Sequence, residues 1–342
     1  MQQPIEISEF LSKRIFLPVI DVRSPGEFSK GHIPRAVNIP LFSDDERAKV
    51  GKYYIQKGRE EAMFLALQLI GQKLEDKVRQ LKEKIPGNKI LIYCWRGGMR
   101  SNSMAWLFSL FGYEAYVLSG GYKSFRKYVK ESFSTKAKLV VISGMTGSGK
   151  TELLEYINLK GHQILNLEKL ANHKGSVFGG LGMSDQPSIE QFENTLFDYL
   201  SSFDFNKPIF IEDESLNIGR LQIPRELYDQ MQQANVIEIQ RDKAFRIAKL
   251  VMGYAQFDNE LLKQCIYKLE KRLGNENTKN IVIEIENKNY NKAAELLLNY
   301  YDKAYQMVMD KRAIGSLEKC FLESDDLNFN AGQIINISGS IY

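Results

Sequence analysis

Two glycine-rich loops constrain this chain more than any other feature. Each leaves a short apolar run and enters a helical pattern. The first, Cys94-Trp-Arg-Gly-Gly-Met-Arg-Ser101, follows Lys89-Ile-Leu-Ile-Tyr93. The second, Gly144-Met-Thr-Gly-Ser-Gly-Lys-Thr151, follows Lys138-Leu-Val-Val-Ile-Ser143. A buried strand that ends in such a loop and continues as a helix belongs to a β-α-β architecture. Backbone amides converge where the helix begins, and its dipole favours negative charge. The chain therefore carries two anion cradles, and one of them holds a sulfur nucleophile.

The pattern around both loops predicts an α/β fold with parallel sheets. Phe16–Val22, Lys89–Tyr93 and Ala115–Leu118 read as buried strands of a first domain, residues 1–130. Glu60–Leu81 and Arg100–Phe111 have helical spacing, with Gly112 as a stop. A linker over 131–137 leads to a second α/β domain, residues 138–342, with a helical C-terminal part. Its further strands are Gln163–Asn166, Lys207–Glu212 and Asn235–Ile239. Ala171–Ser188 lacks apolar periodicity and reads as a long loop, a place where function often lies. Asp242–Leu273 and Tyr290–Met309 are helical patterns. Ile281–Ile285 fits either a strand by its β-branching or a helix by its neighbours. The tail after Lys311 carries no motif.

Composition excludes some classes. Apolar residues make up 44% and charged residues 26%, and no run of 18 apolar residues is present. Neither a transmembrane helix nor membrane association is expected. The N-terminus lacks the basic and apolar regions of a secretory signal. Cys94, Cys265 and Cys320 are scattered and odd in number, which favours a reducing, cytoplasmic setting over a disulfide framework. The net charge of +4 names no partner. Lys123, Arg126, Lys127 and Lys130 share one side of a helical run. That run is either a solvated face or a stripe for phosphates.

In the first loop, Gly97 and Gly98 let the backbone turn amides inward, and Arg96 and Arg100 add positive charge. Such surroundings stabilise a thiolate at Cys94. The second loop fits G-x-x-x-x-G-K-[ST], the P-loop. Gly144, Gly147 and Gly149 shape it, Lys150 and the amides would hold linked phosphates, and Thr151 is a candidate Mg2+ ligand. Glu212 and Asp213, where a strand ends, are candidate partners of that ion, or else a surface acidic cluster. No set of metal ligands is identified. His173, Lys174 and Ser176 in the long loop are candidate substrate contacts.

Asp21-Val-Arg-Ser-Pro-Gly-Glu27 through His32 to Pro40, together with the Cys94 loop, resembles rhodanese domains. Asp21, Arg23, Glu27 and His32 are expected to fix turns rather than to catalyse. The whole order adds the P-loop, His173-Lys-Gly-Ser-Val-Phe-Gly179, Glu212-Asp-Glu-Ser215 and Tyr300-Tyr-Asp-Lys-Ala-Tyr305. From about residue 15 to about 310 it closely resembles the bacterial tRNA 2-selenouridine synthases. The resemblance implies a rhodanese-like domain followed by a P-loop NTPase-like domain. It implies a transferase that converts wobble 2-thiouridine to 2-selenouridine through an S-geranyl intermediate. Geranyl diphosphate and selenophosphate would be co-substrates, with Mg2+ as a candidate ion and no tightly bound cofactor. The implied partners are tRNA and selenophosphate synthetase. Cys94 would handle selenium, Lys150 and Thr151 the prenyl diphosphate, and the stripe at 123–130 the tRNA. The residues alone leave two alternatives open: a sulfurtransferase fused to a nucleotide kinase or NTPase, and a non-enzymatic tRNA-binding module.

Overall fold

A computed structural model describes residues 2–310 and 316–341. The chain divides into two compact units, residues 1–132 with 188–198, and residues 133–187 with 199–342. The sequence division near 131–137 does not anticipate that the first unit takes back residues 188–198.

In the first unit, β1 (Gln2–Ile5) precedes α1 (Ile7–Lys13), β2 (Val19–Asp21), α2 (Pro25–Lys30) and β3 (Val37–Asn38). Then come α3 (Asp44–Lys57), α4 (Arg59–Ile70), α5 (Leu74–Lys84), β4 (Lys89–Tyr93), α6 (Met99–Ser109), β5 (Glu114–Leu118) and α7 (Gly121–Ser132). The sheet order is β1-β5-β4-β2-β3, all parallel. β4 is the middle strand, and its Ile90, Leu91, Ile92 and Tyr93 are fully buried. Such runs suit a strand covered on both faces. The helical pattern read over 60–81 is broken by a 3-10 turn at Gly71–Lys73. The strand read over 16–22 is shorter, because Phe16 points to solvent and pairing begins at Val19.

The second unit runs β6 (Leu139–Gly144), α8 (Lys150–Leu159), β7 (Gln163–Leu165) and α9 (Leu167–Ala171). The next helix, α10 (Ile189–Leu200), lies mostly in the first unit. Then follow β8 (Ile209–Glu212), the short pair β9 (Asn217–Ile218) and β10 (Leu221–Gln222), α11 (Arg225–Gln233) and β11 (Asn235–Gln240). The helical part is α12 (Lys243–Tyr254), α13 (Asn259–Lys268), α14 (Glu270–Leu273), α15 (Asn275–Glu286) and α16 (Tyr290–Met309). β12 (Leu317–Phe321) and α17 (Leu327–Ile341) close the chain. The sheet order is β12-β11-β6-β8-β7, again parallel, with β6 in the middle. The ambiguous Ile281–Ile285 stretch is helical: Ile281, Val282 and Ile285 turn one face into a core with Leu262, Ile266 and Phe178. The unrecognised tail supplies an edge strand. Cys320 and Leu322 pack with Ala331 and Ile334 against α8 and β6 residues.

Candidate active sites

Each cradle leaves the carboxyl end of the middle strand of its sheet, the place where α/β sheets open a crevice. At the first, the Cys94 thiol is buried, and Sγ accepts hydrogen bonds from the Gly98 amide and the Ser101 hydroxyl, both at 3.3 Å. Burial pushes the thiol up. The Ser101 hydroxyl and the amides of Arg96, Ser101 and Gly98 outweigh that and hold it below its ordinary value.

The loop is braced from behind by Gly120 and Gly121, which the sequence reading missed. At Gly121, φ is +59°, and a Cβ would lie 2.3 Å from the Cys94 carbonyl oxygen and from the Gly97 nitrogen. The next amides bond to the loop: Tyr122 N–H donates to the Cys94 carbonyl at 2.8 Å and Lys123 N–H to that of Trp95 at 3.0 Å. The available signal was an adjacent glycine pair directly after a buried strand.

The two arginines differ. Arg96 is exposed at the loop. Arg100 binds Glu27, with Nη1 to Oε2 at 2.6 Å. Burial raises the Glu27 carboxyl, but Arg100, the Ser24 amide and Arg47 hold it below the usual carboxylate range. Asp21 and Arg23 form a fully buried pair at 2.6 Å. Arg23 also donates to the Gly31 carbonyl at 2.7 Å, and its guanidinium lies 3.8 Å from the Tyr122 ring centre. His32 stacks on Phe28 at 3.8 Å between ring centres. These groups hold turns, and a removed partner would strand a buried charge.

The segment 188–198 docks through polar contacts. Tyr122 donates to Glu190 at 2.8 Å, Asn194 donates to the Tyr122 hydroxyl at 2.7 Å, and the His32 amide donates to Gln191 at 2.8 Å. Arg126 joins this network, donating to Asn194 at 2.5 Å and pairing with Glu193. The four cations of the expected stripe are therefore not one exposed row. Lys123, Lys127 and Lys130 are exposed on α7, while Arg126 is held by α10.

In the second cradle, Gly147 has φ +83°, and a Cβ there would lie 2.9 Å from the Arg246 carbonyl oxygen. Gly144 and Gly149 begin and end the turn. Lys150 Nζ donates back to the Gly144 carbonyl at 2.8 Å, and Thr151 Oγ1 donates to Glu168 at 3.1 Å. Ser148 Oγ is buried without a partner. Glu212 ends β8 and is 1% exposed. Its Oε2 accepts from the Glu168 amide at 3.2 Å, and its Oε1 has no partner. Burial first, and the Glu168 charge second, push Glu212 up to about 7. Burial also raises Glu214 well above its ordinary value and raises Glu168. A Cβ on Gly175 would lie 2.5 Å from Glu214 Oε2, so the long loop is packed against that carboxyl.

Asp213 has different partners. It accepts from the Ser143 hydroxyl at 2.5 Å, which is 3.0 Å from the Tyr305 hydroxyl, itself a donor to Glu238 at 3.0 Å. Of the two acids at this strand end, Asp213 is bonded to Ser143, the residue before the phosphate loop, and Glu212 lies in the carboxyl cluster with Glu168 and Glu214. Glu168 and Glu214 were not anticipated. Glu214 lay in the same acidic run, whereas Glu168 had no signal beyond following a short strand. Among the described residues, no three or more His, Cys, Asp or Glu side chains have the placement to enclose a metal ion. Mg2+ needs only one or two carboxylates when phosphates supply the rest. Thr151, Glu168 and the orphaned Glu212 oxygen fit that demand.

The long loop is pinned by Gln186, which donates to the carbonyls of Ala171 at 3.0 Å and Ile218 at 2.9 Å. His173 is a wedge: Cβ atoms on Gly179 and Gly219 would lie 2.8 and 2.9 Å from its ring. Burial lowers its pKa, and Nδ1 has no partner. Lys174 Nζ sits 5.6 Å from the Tyr254 ring centre. Ser176 accepts from the Phe178 amide at 3.2 Å and, with Thr146 of the phosphate loop, lines one end of an apolar cavity of about 90 Å³. The remaining wall is Phe178 and residues of α12, α13, α15 and α16. Arg246 ties cradle and cavity together. It is 4% exposed, donates to the Thr146 carbonyl at 3.3 Å and grips Asp302 of α16 at 2.7 and 2.8 Å. Nothing in the sequence pattern pointed to this pair.

Comparison with known proteins gives the following. The model of the tRNA 2-selenouridine synthase AAA domain matches residues 137–320, and that of the rhodanese-like domain matches residues 6–128. A tRNA 2-selenouridine synthase of Psychromonas ingrahamii is 32% identical over 351 residues, spanning 92% of this chain and 94% of the relative. That of Shewanella halifaxensis is 34% identical over 351 residues, spanning 90% and 93%. That of Shewanella denitrificans is 38% identical over 271 residues, spanning 76% and 71%.

Proposed function

The chain belongs to the tRNA 2-selenouridine synthase family, an enzyme family, and from that premise we propose that it places selenium on the wobble base of tRNA in two stages. In the first stage the thiocarbonyl sulfur of 2-thiouridine attacks C1 of geranyl diphosphate. The C–S bond forms, the C1–O bond breaks, and diphosphate leaves with its charge. In the second stage the selenium of selenophosphate attacks C2: the C2–Se bond forms, the C2–S bond breaks and geranylthiol leaves, and water then cleaves the Se–P bond to release phosphate.

The observation that carries this reading is the apolar cavity that begins at Thr146 of the phosphate loop. At about 90 Å³ it is smaller than the roughly 150 Å³ of a cavity that takes benzene, so a ten-carbon chain enters it by displacing part of its wall. A nucleotide base would call for polar groups to read its edge, and this wall is aliphatic and aromatic. Diphosphate departs readily only where its developing charge is neutralised. The amides of residues 147–151 and Lys150 are suited to that, since Lys150 can leave the Gly144 carbonyl for a phosphate oxygen. Mg2+, when bound by Thr151 with Glu168 and Glu212, would add Lewis-acid neutralisation. For the second stage, the Cys94 loop offers a thiolate and an amide nest to the selenium donor.

The test supplies the purified protein with 2-thiouridine tRNA and geranyl diphosphate, without nucleotide, and reads the wobble base by mass spectrometry. S-geranyl-2-thiouridine should form with no ATP present. A strict requirement for ATP hydrolysis would overturn the prenyl-donor reading in favour of a nucleotide kinase.

A further inference from the structure

The cavity beside the phosphate loop has a graded wall, and that grading goes beyond the identity of the prenyl donor. Helix α16 begins at the far end of the cavity and runs toward the phosphate loop. Near the loop, Asp302 holds Arg246, which bonds to Thr146, and Tyr305 lies 3.0 Å from Ser143. Backward from there, Tyr301, Leu297, Ala294 with Ala293, and Tyr290 all line the cavity. Their spacings of four, three and four residues put them in one stripe along the helix. Tyr301 and Tyr290 are 11 positions apart (301 − 290), about 16 Å at the rise of an α-helix.

The far end is built differently from the rest. Tyr290 donates its hydroxyl to Asn259 Oδ1 at 2.9 Å, and Asn259 Nδ2 donates to the Ile285 carbonyl at 3.1 Å. One hydrogen-bonded chain thus fastens the start of α16 to the start of α13 and the end of α15. A ring held this way resists displacement, because moving it breaks a partly buried hydrogen bond. Elsewhere the wall is aliphatic and aromatic, and at 293 and 294 it consists of alanines.

We propose that the α16 stripe measures the prenyl chain, with Tyr290 as the stop that sets its maximum length. This rests on the prenyl-donor reading of the site. Each isoprene unit lengthens an extended chain by about one helical turn, ~5 Å. A chain anchored by its diphosphate at the loop passes Leu297 with its first unit. It passes Ala293 and Ala294 with its second, and a third unit meets Tyr290. Along this axis a geranyl chain ends short of Tyr290 and a farnesyl chain meets it, so geranyl diphosphate is preferred over farnesyl diphosphate.

The experiment measures kcat/KM for transfer from dimethylallyl, geranyl and farnesyl diphosphates to 2-thiouridine tRNA. Wild type is compared with Tyr290→Ala, Tyr290→Phe and Ala294→Phe, each checked for folding by thermal melting. Wild type should prefer geranyl. Tyr290→Ala should raise the farnesyl-to-geranyl ratio by roughly 10- to 200-fold, and Ala294→Phe should lower the geranyl-to-dimethylallyl ratio by a similar factor. Tyr290→Phe, which keeps the ring, should keep the wild-type order. If Tyr290→Ala does not fold, Ala294→Phe decides alone. Unmoved ratios in folded variants, with wild type still transferring geranyl, overturn the ruler and leave the prenyl-donor reading standing. A wild type that transfers none of the three groups overturns both.

Discussion

The two cradles share a position, the carboxyl end of a middle parallel strand, yet they are finished to different degrees. The Cys94 loop is complete. Its sulfur already has two donors, its bend is closed by Gly121, and its flanking Arg100 is matched by Glu27. The phosphate loop has polar groups left unpaired within the chain. Lys150 is folded onto a carbonyl, Ser148 Oγ and Glu212 Oε1 are buried and unpaired, and three carboxyls crowd one another. A loop that only has to activate its own sulfur can be satisfied within the chain. A phosphate loop with donors and acceptors left unpaired within the chain has them available to a ligand, and leaving them unpaired carries a cost.

The strongest test of this contrast separates the two chemistries. Lys150→Ala should slow geranyl transfer by about 10²–10³-fold, the usual loss for one charge-assisted contact to a developing anion. Alkylation of Cys94 should stay at its wild-type rate in that variant. Cys94→Ser should stop selenium incorporation with geranyl transfer intact. Loss of Cys94 alkylation in Lys150→Ala would mean that the loops are not independent.

Next in size is the brace. Gly121→Ala places a methyl group against backbone on both sides and forces a left-handed residue, which should cost about 3 kcal/mol of stability. Thermal unfolding measures the loss, and slower alkylation of Cys94 should accompany it. A variant with wild-type melting and reactivity would mean that the loop is held elsewhere.

A pH experiment sharpens the other side. Burial, and then the Glu168 charge, push Glu212 up to about 7 in the folded protein, against 4.5 ordinarily. Between those values the folded state keeps a proton that the unfolded chain releases. Stability therefore falls as pH rises from about 4.5 to about 7, and the penalty remains above that. Glu212→Gln should raise the melting temperature at pH 8 and change it little at pH 5. Equal shifts at both pH values would contradict a buried carboxyl with one oxygen unpaired.

The smallest expected effect concerns tRNA. With Arg126 held by Glu193 and Asn194, the exposed row on α7 is Lys123, Lys127 and Lys130. Lys123→Ala with Lys127→Ala should flatten the slope of log K against log salt by about 1.5 if both touch phosphate. An unchanged slope in filter binding would make the row a solvated face.

The sequence by itself determined the two cradles, the strands that carry them, the parallel α/β class and the family. These depend on local periodicity and on motifs whose spacing is set by the backbone. His32, Arg23 and Asp21 were also legible as scaffold, since each sits inside a continuous motif. Tertiary structure alone decided what depends on distant residues meeting. Arg126 became unavailable only because Glu193, far along the chain, returns to the first unit. Asp213 is bonded to Ser143, the residue before the phosphate loop, while Glu168 came to Thr151 from the next strand end. The tail had no motif to read, and its strand exists because β11 offers it an unpaired edge. The cavity is likewise a product of assembly: its lining is drawn from the phosphate loop, the long loop and α12, α13, α15 and α16, and no one of these encloses it alone.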